Sequence, residues 1–346
     1  MPTANIVYWY GVEDMPRDGG GLRALSWYQA LESLGYTPKI VPLRSPLRSN
    51  GDQESPLRKA KKLVIPMPLA AALPPLTSAD VNIITVPAVF ASAAKTLPRH
   101  SLVFDWMDRW SVNARTMGRS AWISRPGGYL QSQIWARRER QLVRMPAANV
   151  YAGYEDKTSA TESTSPSSFW LPTPINAASR NGAIRSNSQV RRVGFIGNFL
   201  YPPNVMSLRE FFAGYGAALA ARGIEIVVAG FGSDIVETWN VQATVLGKVD
   251  SLTNFYESID AAIVPVDHGG GIKAKAVEAM AHGVPVFGTD HVVSGFAPVW
   301  GKYIGRIDEL LKETPTLPPV VPAEIFHQEF SQQAFSTAVS AVLDRL

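Results

Sequence analysis

The 346-residue chain contains no cysteine, which excludes a disulfide framework, a thiolate nucleophile and any cysteine-based metal site. Histidine is scarce as well: the five present (His100, His268, His282, His291 and His327) show no HExxH or comparable spacing, so no metal site is expected. No apolar run reaches the roughly 18 residues that a membrane span needs, and no basic start is followed by an apolar core. These absences predict a cytoplasmic protein whose mature form begins near Met1. Chemistry is left to carboxylates, basic groups and the backbone.

With 46% hydrophobic and 18% charged residues the composition is that of a globular protein, and the length suffices for two cores of common domain size. The net charge of +4 hides an asymmetry about residue 190. Before that point 22 Lys and Arg face 13 Asp and Glu, a net +9; after it 11 face 16, a net −5. The two halves are therefore expected to meet different partners.

Short apolar runs rich in β-branched and aromatic residues alternate with helical patterns: NIVYWY, PKIVPL, KLVIPM, VNIITVP, SLVFDW and ANVYAG. Such alternation predicts a parallel sheet covered by helices. Residues 161–188, rich in Pro, Ser, Thr and Asn, read as a linker interrupted by FWLPTPI. The pattern then restarts with RRVGFIG, IEIVVAGFG, QATVLGKV, AAIVPVD and VPVFGTD, a second doubly wound α/β domain. The expected organisation is a domain over 1–172, a linker over 173–190, a second domain over 191–322, and an amphipathic end, 323–346, able to pack back on the first.

Residues 261–290 carry the densest chemistry. A buried strand ends at Asp267, Gly269, Gly270 and Gly271 make the turn, and a helix is predicted from near Ile272 to Gly283. Three glycines at a strand-to-helix turn let backbone N–H groups approach an anion, and the helix adds its positive end. A phosphate fits that geometry. Lys275 falls in the first turn, where its ammonium adds a full charge, and Glu278 three residues on shares its face. A carboxylate one turn deeper can accept hydrogen bonds from vicinal ribose hydroxyls, so the pair reads as a nucleotide clamp. The alternative is a glycine turn followed by a solvated Lys–Glu pair.

HGGGIKAKAVEAMAHGVPV resembles the donor-binding region of family 4 glycosyltransferases, in the subgroup with a GGGxxxK motif, E-A-M and G-x-P-V. The resemblance continues upstream through VGFIGNFLYPPNVMSLREFF, VVAGFG and VLGKVDSLTNFYESIDAAIVPV, covering about residues 191–296 in the family's order. It implies a GT-B fold, two facing Rossmann-like domains with a cleft between them, and transfer of a sugar from a UDP- or GDP-linked donor without a metal or other cofactor, with retention the usual outcome. It also implies that Glu278 holds the donor ribose and Lys275 the diphosphate. Many members carry a second Glu where Gly270 stands here, which suggests that glycine amides, with Gly269, Gly271 and Ile272, take over donor-sugar contacts. Where relatives have an Arg in the loop after the first strand of this domain, this chain has Gly197 and Asn198, followed by Tyr201 and Asn204; Asn204 is either a helix cap or a donor contact. By the same resemblance Gly230, Gly232 and Val249 line the nucleobase through backbone groups.

In the first half, Gly19, Gly20 and Gly21 stand between the first strand and a helix whose apolar face includes Ala24, Tyr28, Leu31 and Leu34. They look like the glycine loop with which GT-B enzymes approach donor phosphate and acceptor, although three glycines alone are weak evidence without a GxGxxG fingerprint. SLVFDWMDRWS ends a strand in Asp105 and Asp108, which resembles the family's D-x-x-D version of this region. Either acid is a candidate to orient the acceptor hydroxyl or take its proton, and either could instead cap the helix that starts near Arg109. Catalysis is thus assigned to Asp105, Asp108 and Lys275.

Two basic groups remain: Arg44, Arg48, Arg58, Lys59, Lys61 and Lys62, and then Arg115, Arg119, Arg125, Arg137, Arg138 and Arg140 interspersed with Trp106, Trp110, Trp122 and Trp135. A glycan or lipid-linked acceptor at an anionic membrane surface, such as the inner face of a plasma membrane, accounts for both; a plain solvated surface also accounts for the first. A nucleic-acid partner is not expected, because the second half is acidic and carries no such motif. The competing classes are a nucleotide or sugar binder that has lost transfer, an enzyme acting on a soluble metabolite or protein, and a nicotinamide-dependent Rossmann enzyme, against which the missing GxGxxG argues.

Overall fold

A computed structural model describes residues 1–16, 19–43, 70–117, 125–161, 167–175 and 190–346. The chain divides into two compact units, one formed by Met1–Pro174, Gly269–Ile272 and Gln332–Leu346, the other by Ile175–His268 and Lys273–Ser331.

The first unit is built on a six-stranded sheet in the order β2-β1-β3-β4-β5-β6: β1 (Thr3–Tyr8), β2 (Thr37–Pro42), β3 (Val81–Ile84), β4 (Leu102–Trp106), β5 (Ala148–Tyr151) and β6 (Ser167–Trp170). All pairings are parallel. β3, β4 and β5 are buried along their whole length, as parallel strands covered on both faces must be. Ile84, Phe90, Phe104, Trp106 and Trp135 pack on one face, and Ile6, Trp27, Leu31, Ile83 and Val103 on the other.

Two features depart from the expected organisation. β6 lies inside residues 161–188, which composition marks as linker, yet it pairs in register with β5 from Ala148↔Ser167 to Tyr151↔Trp170. All four of its residues are half-buried, so this edge strand shows neither alternation nor a buried run, and the neighbouring ladder holds it. The amphipathic end is not one element. Helix Ala323–Phe330 belongs to the second unit, and helix Gln332–Leu343 to the first, where Phe335 meets the Trp27 ring edge-on at 5.5 Å and Gln332 Nε2 donates to the Ser26 carbonyl at 3.0 Å. The strand expected at KLVIPM lies outside the described residues.

The second unit has a six-stranded parallel sheet in the order β12-β11-β10-β7-β8-β9, from β7 (Arg192–Ile196), β8 (Glu225–Ala229), β9 (Thr244–Gly247), β10 (Ala261–Val264), β11 (Val286–Gly288) and β12 (Ile304–Arg306). This is the Rossmann strand order, reversing between β7 and β10. Val193, Phe195, Leu208, Phe211, Val228, Ile263 and Phe287 form its core. β12 is a short strand that hydropathy does not mark.

Local sequence sets the helix ends near the reversal. Helix Pro202–Phe211 starts with two prolines, whose missing N–H groups cost nothing in a first turn. Helix Ala274–Ala281 is followed by Gly283 at φ +69°, the left-handed conformation that ends helices and favours glycine.

Candidate functional site

In an open α/β sheet, ligands bind beyond the carboxyl ends of the strands where the strand order reverses. In the second unit that place is bounded by the loops after β7 and β10, and the candidate clamp stands there. Lys275 is in the first turn of helix Ala274–Ala281, preceded by Lys273 at the cap position. Its ammonium donates to Asn204 Oδ1 at 2.8 Å and lies 5.1 Å from the centre of the Phe195 ring. Glu278, one turn on and half-buried like Lys275, accepts a long hydrogen bond, 3.4 Å, from the hydroxyl of the buried Tyr256.

The electrostatics follow from burial. Desolvation pulls the Lys275 pKa down to about 8, with Glu278 opposing and Lys273 reinforcing that shift. Desolvation likewise raises Glu278, against the pull of Lys275 and Tyr256. Both groups are moved toward their neutral forms; an anion beside Lys275 would favour its charged form, and hydroxyls donating to Glu278 would favour its carboxylate.

The surrounding turns are glycine-dependent. Gly230 has φ +118°, and a side chain there would run into the Gly197 carbonyl. Gly197 N donates to the Ala229 carbonyl at 3.1 Å and Phe199 N to the Phe231 carbonyl at 2.9 Å, so the loops after β7 and β8 are stitched together. Gly232, at φ +75°, caps the short helix Ser233–Trp239, and Val249 follows β9. Asn198 and Tyr201 are exposed; the Asn198 Oδ1 accepts from the Leu200 amide at 2.9 Å. Asn204 does not cap its helix. It is the third helical residue, it is buried, and its Nδ2 donates to the Asn198 carbonyl at 2.8 Å.

Gly269–Ile272 cluster with the first unit. Gly270 N donates to Asn113 Oδ1 at 3.0 Å and Gly271 N to Asp156 Oδ2 at 2.7 Å. The amides read as a phosphate cradle are thus engaged by side chains in this state. Asp108, half-buried, lies against the same turn: a Cβ on Gly271 would come within 2.7 Å of its Oδ1.

Asp105 departs from its expected role. It is fully buried, accepting from Arg23 Nε at 3.0 and 2.8 Å, from a second Arg23 nitrogen at 2.7 Å and from Trp27 Nε1 at 2.8 Å. Arg23 also donates to the Leu171 carbonyl at 2.7 Å. Such a saturated pair ties helix Gly19–Ser33 to β4 and leaves Asp105 no lone pair directed at a substrate. Gly19 and Gly20 form the first turn of that helix rather than a loop before it, and a side chain at Gly21 would strike the Pro16 carbonyl. Leu34 lies beyond the helix and is exposed, whereas Ala24 and Leu31 are buried and Trp27, which the pattern did not single out, is buried with them.

The Arg-with-Trp grouping also separates. Trp106, Trp110 and Trp135 are core residues, whereas Arg115, Arg137 and Arg140 are exposed; Arg138 stacks over the Trp135 ring at 5.7 Å. Alternation of arginine and tryptophan along these helices therefore reflects an inner and an outer face. Arg119, Trp122 and the group from Arg44 to Lys62 lie outside the described residues, as does the Arg125 side chain. Among the described residues no helix is long and apolar enough to cross a membrane, and no cluster of three metal-ligating side chains is present.

Residues 190–301, spanning β7 to β11 and the clamp, match the profile of the family described as Glycosyl transferases group 1. The chain carries a glycosyltransferase group 1 domain. No curated protein matches the sequence. Among solved structures, sucrose-phosphate synthase from Thermosynechococcus elongatus matches with a TM-score of 0.68 at 12% identity, over 100% of this chain and 99% of that one. Anabaena HepE in complex with UDP and glucose matches with a TM-score of 0.57 at 13% identity, over the full length of both chains. TarM matches with a TM-score of 0.55 at 12% identity over 76% of this chain, which spans only 54% of TarM. At these identities the likeness establishes the fold, which is GT-B.

Within the glycosyltransferase domain, sequence reasoning did not single out Tyr256 or Phe195, the phenol against Glu278 and the ring under Lys275. Each reads as an ordinary core aromatic. Outside it, Arg23, Asn113 and Asp156 were also missed, and only Asp156, shortly after β5, stood where a strand-end rule would have found it.

Proposed function

We propose that this protein is a glycosyltransferase that moves a sugar from a UDP- or GDP-linked donor to a hydroxyl of an acceptor. The observation that carries this reading is the clamp: Lys275 and Glu278, one helical turn apart at the reversal point of a Rossmann sheet, both desolvated and both short of full charge compensation. Lys275 and the helix N-terminus meet the diphosphate, and Glu278 accepts from the ribose hydroxyls. The complexes of HepE with UDP and glucose support the donor class by analogy of fold.

In the transfer the bond from the anomeric carbon to the diphosphate oxygen breaks and its electron pair leaves with the diphosphate, whose charge Lys275 stabilises. The acceptor hydroxyl forms the new bond and gives up its proton; of the two acids at the end of β4, Asp108 is the candidate to orient or receive it. We read the reaction as metal-independent and retaining, in the manner of family 4, on a glycan or lipid-linked acceptor in polysaccharide or glycolipid assembly, with the protein cytoplasmic or peripheral at an anionic membrane face.

Calorimetry with UDP, GDP and their sugars, followed by product analysis with the donor that binds, tests the reading. Binding of one nucleotide with sugar transfer or slow donor hydrolysis in excess EDTA is the expected result. Loss of transfer that Mn²⁺ or Mg²⁺ restores would remove metal independence, and binding without turnover on any acceptor would point to a binder. Flotation with anionic and neutral vesicles at low and physiological salt tests the membrane component.

A further inference from the structure

The side chain that faces Lys275 is neutral, buried and itself held on its other side. An ammonium has only hydrogens to offer, so the oxygen of the Asn204 amide must be the atom turned toward Lys275 Nζ, at 2.8 Å. That orientation directs Nδ2 to the Asn198 carbonyl, also at 2.8 Å. Asn204 N donates to the Tyr201 carbonyl at 3.0 Å, and a Cβ on Gly197 would come within 3.0 Å of Asn204 Nδ2. The glycine at 197 therefore makes room for this amide, and the Tyr201–Pro202–Pro203 turn sets its height.

Resting on the reading above, we propose that Asn204 is a positioning residue, which aims the Lys275 ammonium and leaves its whole positive charge for the diphosphate of the donor. An aspartate in the same place would also accept from the ammonium, but it would lose the hydrogen bond to the Asn198 carbonyl and neutralise the charge. Phe195, whose ring centre lies 5.1 Å from the ammonium, gives a ring face and no formal charge. The charged or titratable groups bearing on Lys275 are Glu278 and Lys273 of its own helix, with Tyr256 acting through Glu278. Desolvation pulls the Lys275 pKa down to about 8 against the opposing pull of Glu278, and the neutral Asn204 adds no negative charge that would raise it again.

The test compares wild type, N204A, N204D and K275M in two measurements: calorimetry with UDP and with GDP from about pH 6.5 to pH 9.5, and a ligand-free titration of the ¹³C-labelled lysine signal that K275M identifies. Wild type should bind one nucleotide with affinity that falls as pH rises through the Lys275 pKa. N204A should weaken binding at neutral pH by about tenfold, the size expected for a lost hydrogen bond to a charged group, and move the Lys275 titration lower. N204D should retain the fold, move that titration higher and still bind more weakly than wild type, because the carboxylate competes with phosphate for the ammonium. If wild type binds and K275M does not, while both Asn204 variants bind and titrate like wild type, the positioning role is overturned and the donor reading stands. If wild type binds no nucleoside diphosphate, the donor reading itself fails, and the lysine titrations alone then decide whether Asn204 governs Lys275.

Discussion

Among the described residues, two pairs of opposite charges shielded from water, one in each unit, are treated differently. Arg23 and Asp105 are saturated: three short contacts join them, Trp27 takes a further lone pair of the carboxylate, and Leu171 accepts from the guanidinium. Lys275 and Glu278 have a neutral amide, a ring face and a phenol at 3.4 Å as support, and both are shifted toward neutrality. Burial with full hydrogen bonding makes scaffold. Burial with partial compensation makes a site that a ligand of complementary charge completes. Position at the end of a strand does not by itself distinguish the two cases; the partners do.

The contrast is broken most severely in the first unit. R23A should destabilise the protein by about 3–5 kcal/mol by leaving a buried carboxylate unpaired, read as a drop in denaturation midpoint. If D105A instead kept the midpoint and abolished transfer, Asp105 would return to the catalytic list and the comparison would collapse. E278A should act in the opposite sense, weakening nucleotide binding by about 1.5–3 kcal/mol while the denaturation midpoint stays close to wild type. Unchanged affinity would remove Glu278 from the site.

A smaller effect sharpens the same contrast through pH. Between about pH 8 and pH 10.5 the folded protein has lost the Lys275 proton that the unfolded chain still binds, so this residue makes stability rise with pH across that window. Nucleotide affinity should fall over its lower part. K275M should flatten the stability component, measured by urea denaturation at several pH values. The smallest effect is expected at the exposed Arg306, which pairs with Asp290 at 2.9 Å and Asp308 at 3.1 Å; R306A should leave both the midpoint and binding unchanged within error.

Much of this was legible in the sequence. The strand runs that build both sheets were readable because parallel strands buried on both faces appear as continuous apolar segments. The helix with Lys275 and Glu278 was readable too, since glycines fix its borders and three-residue spacing places both side chains on one face. β6 was hidden because a half-buried edge strand of Ser, Ser, Phe and Trp carries no periodic signal. The tryptophans near the arginines looked like one surface because a helix interleaves its inner and outer faces along the chain.

By itself the sequence determined the class of fold, the charge asymmetry and which residue types could form a nucleotide clamp, since composition, periodicity and short spacings are local properties. Tertiary structure alone decided which acid at the end of β4 is buried, which amide faces the lysine, and where the amphipathic end divides. Arg23 meets Asp105 across 82 residues and Asn204 meets Lys275 across 71. Whether a charge is saturated or left poised depends on such distant partners, and chain-local patterns carry no record of them.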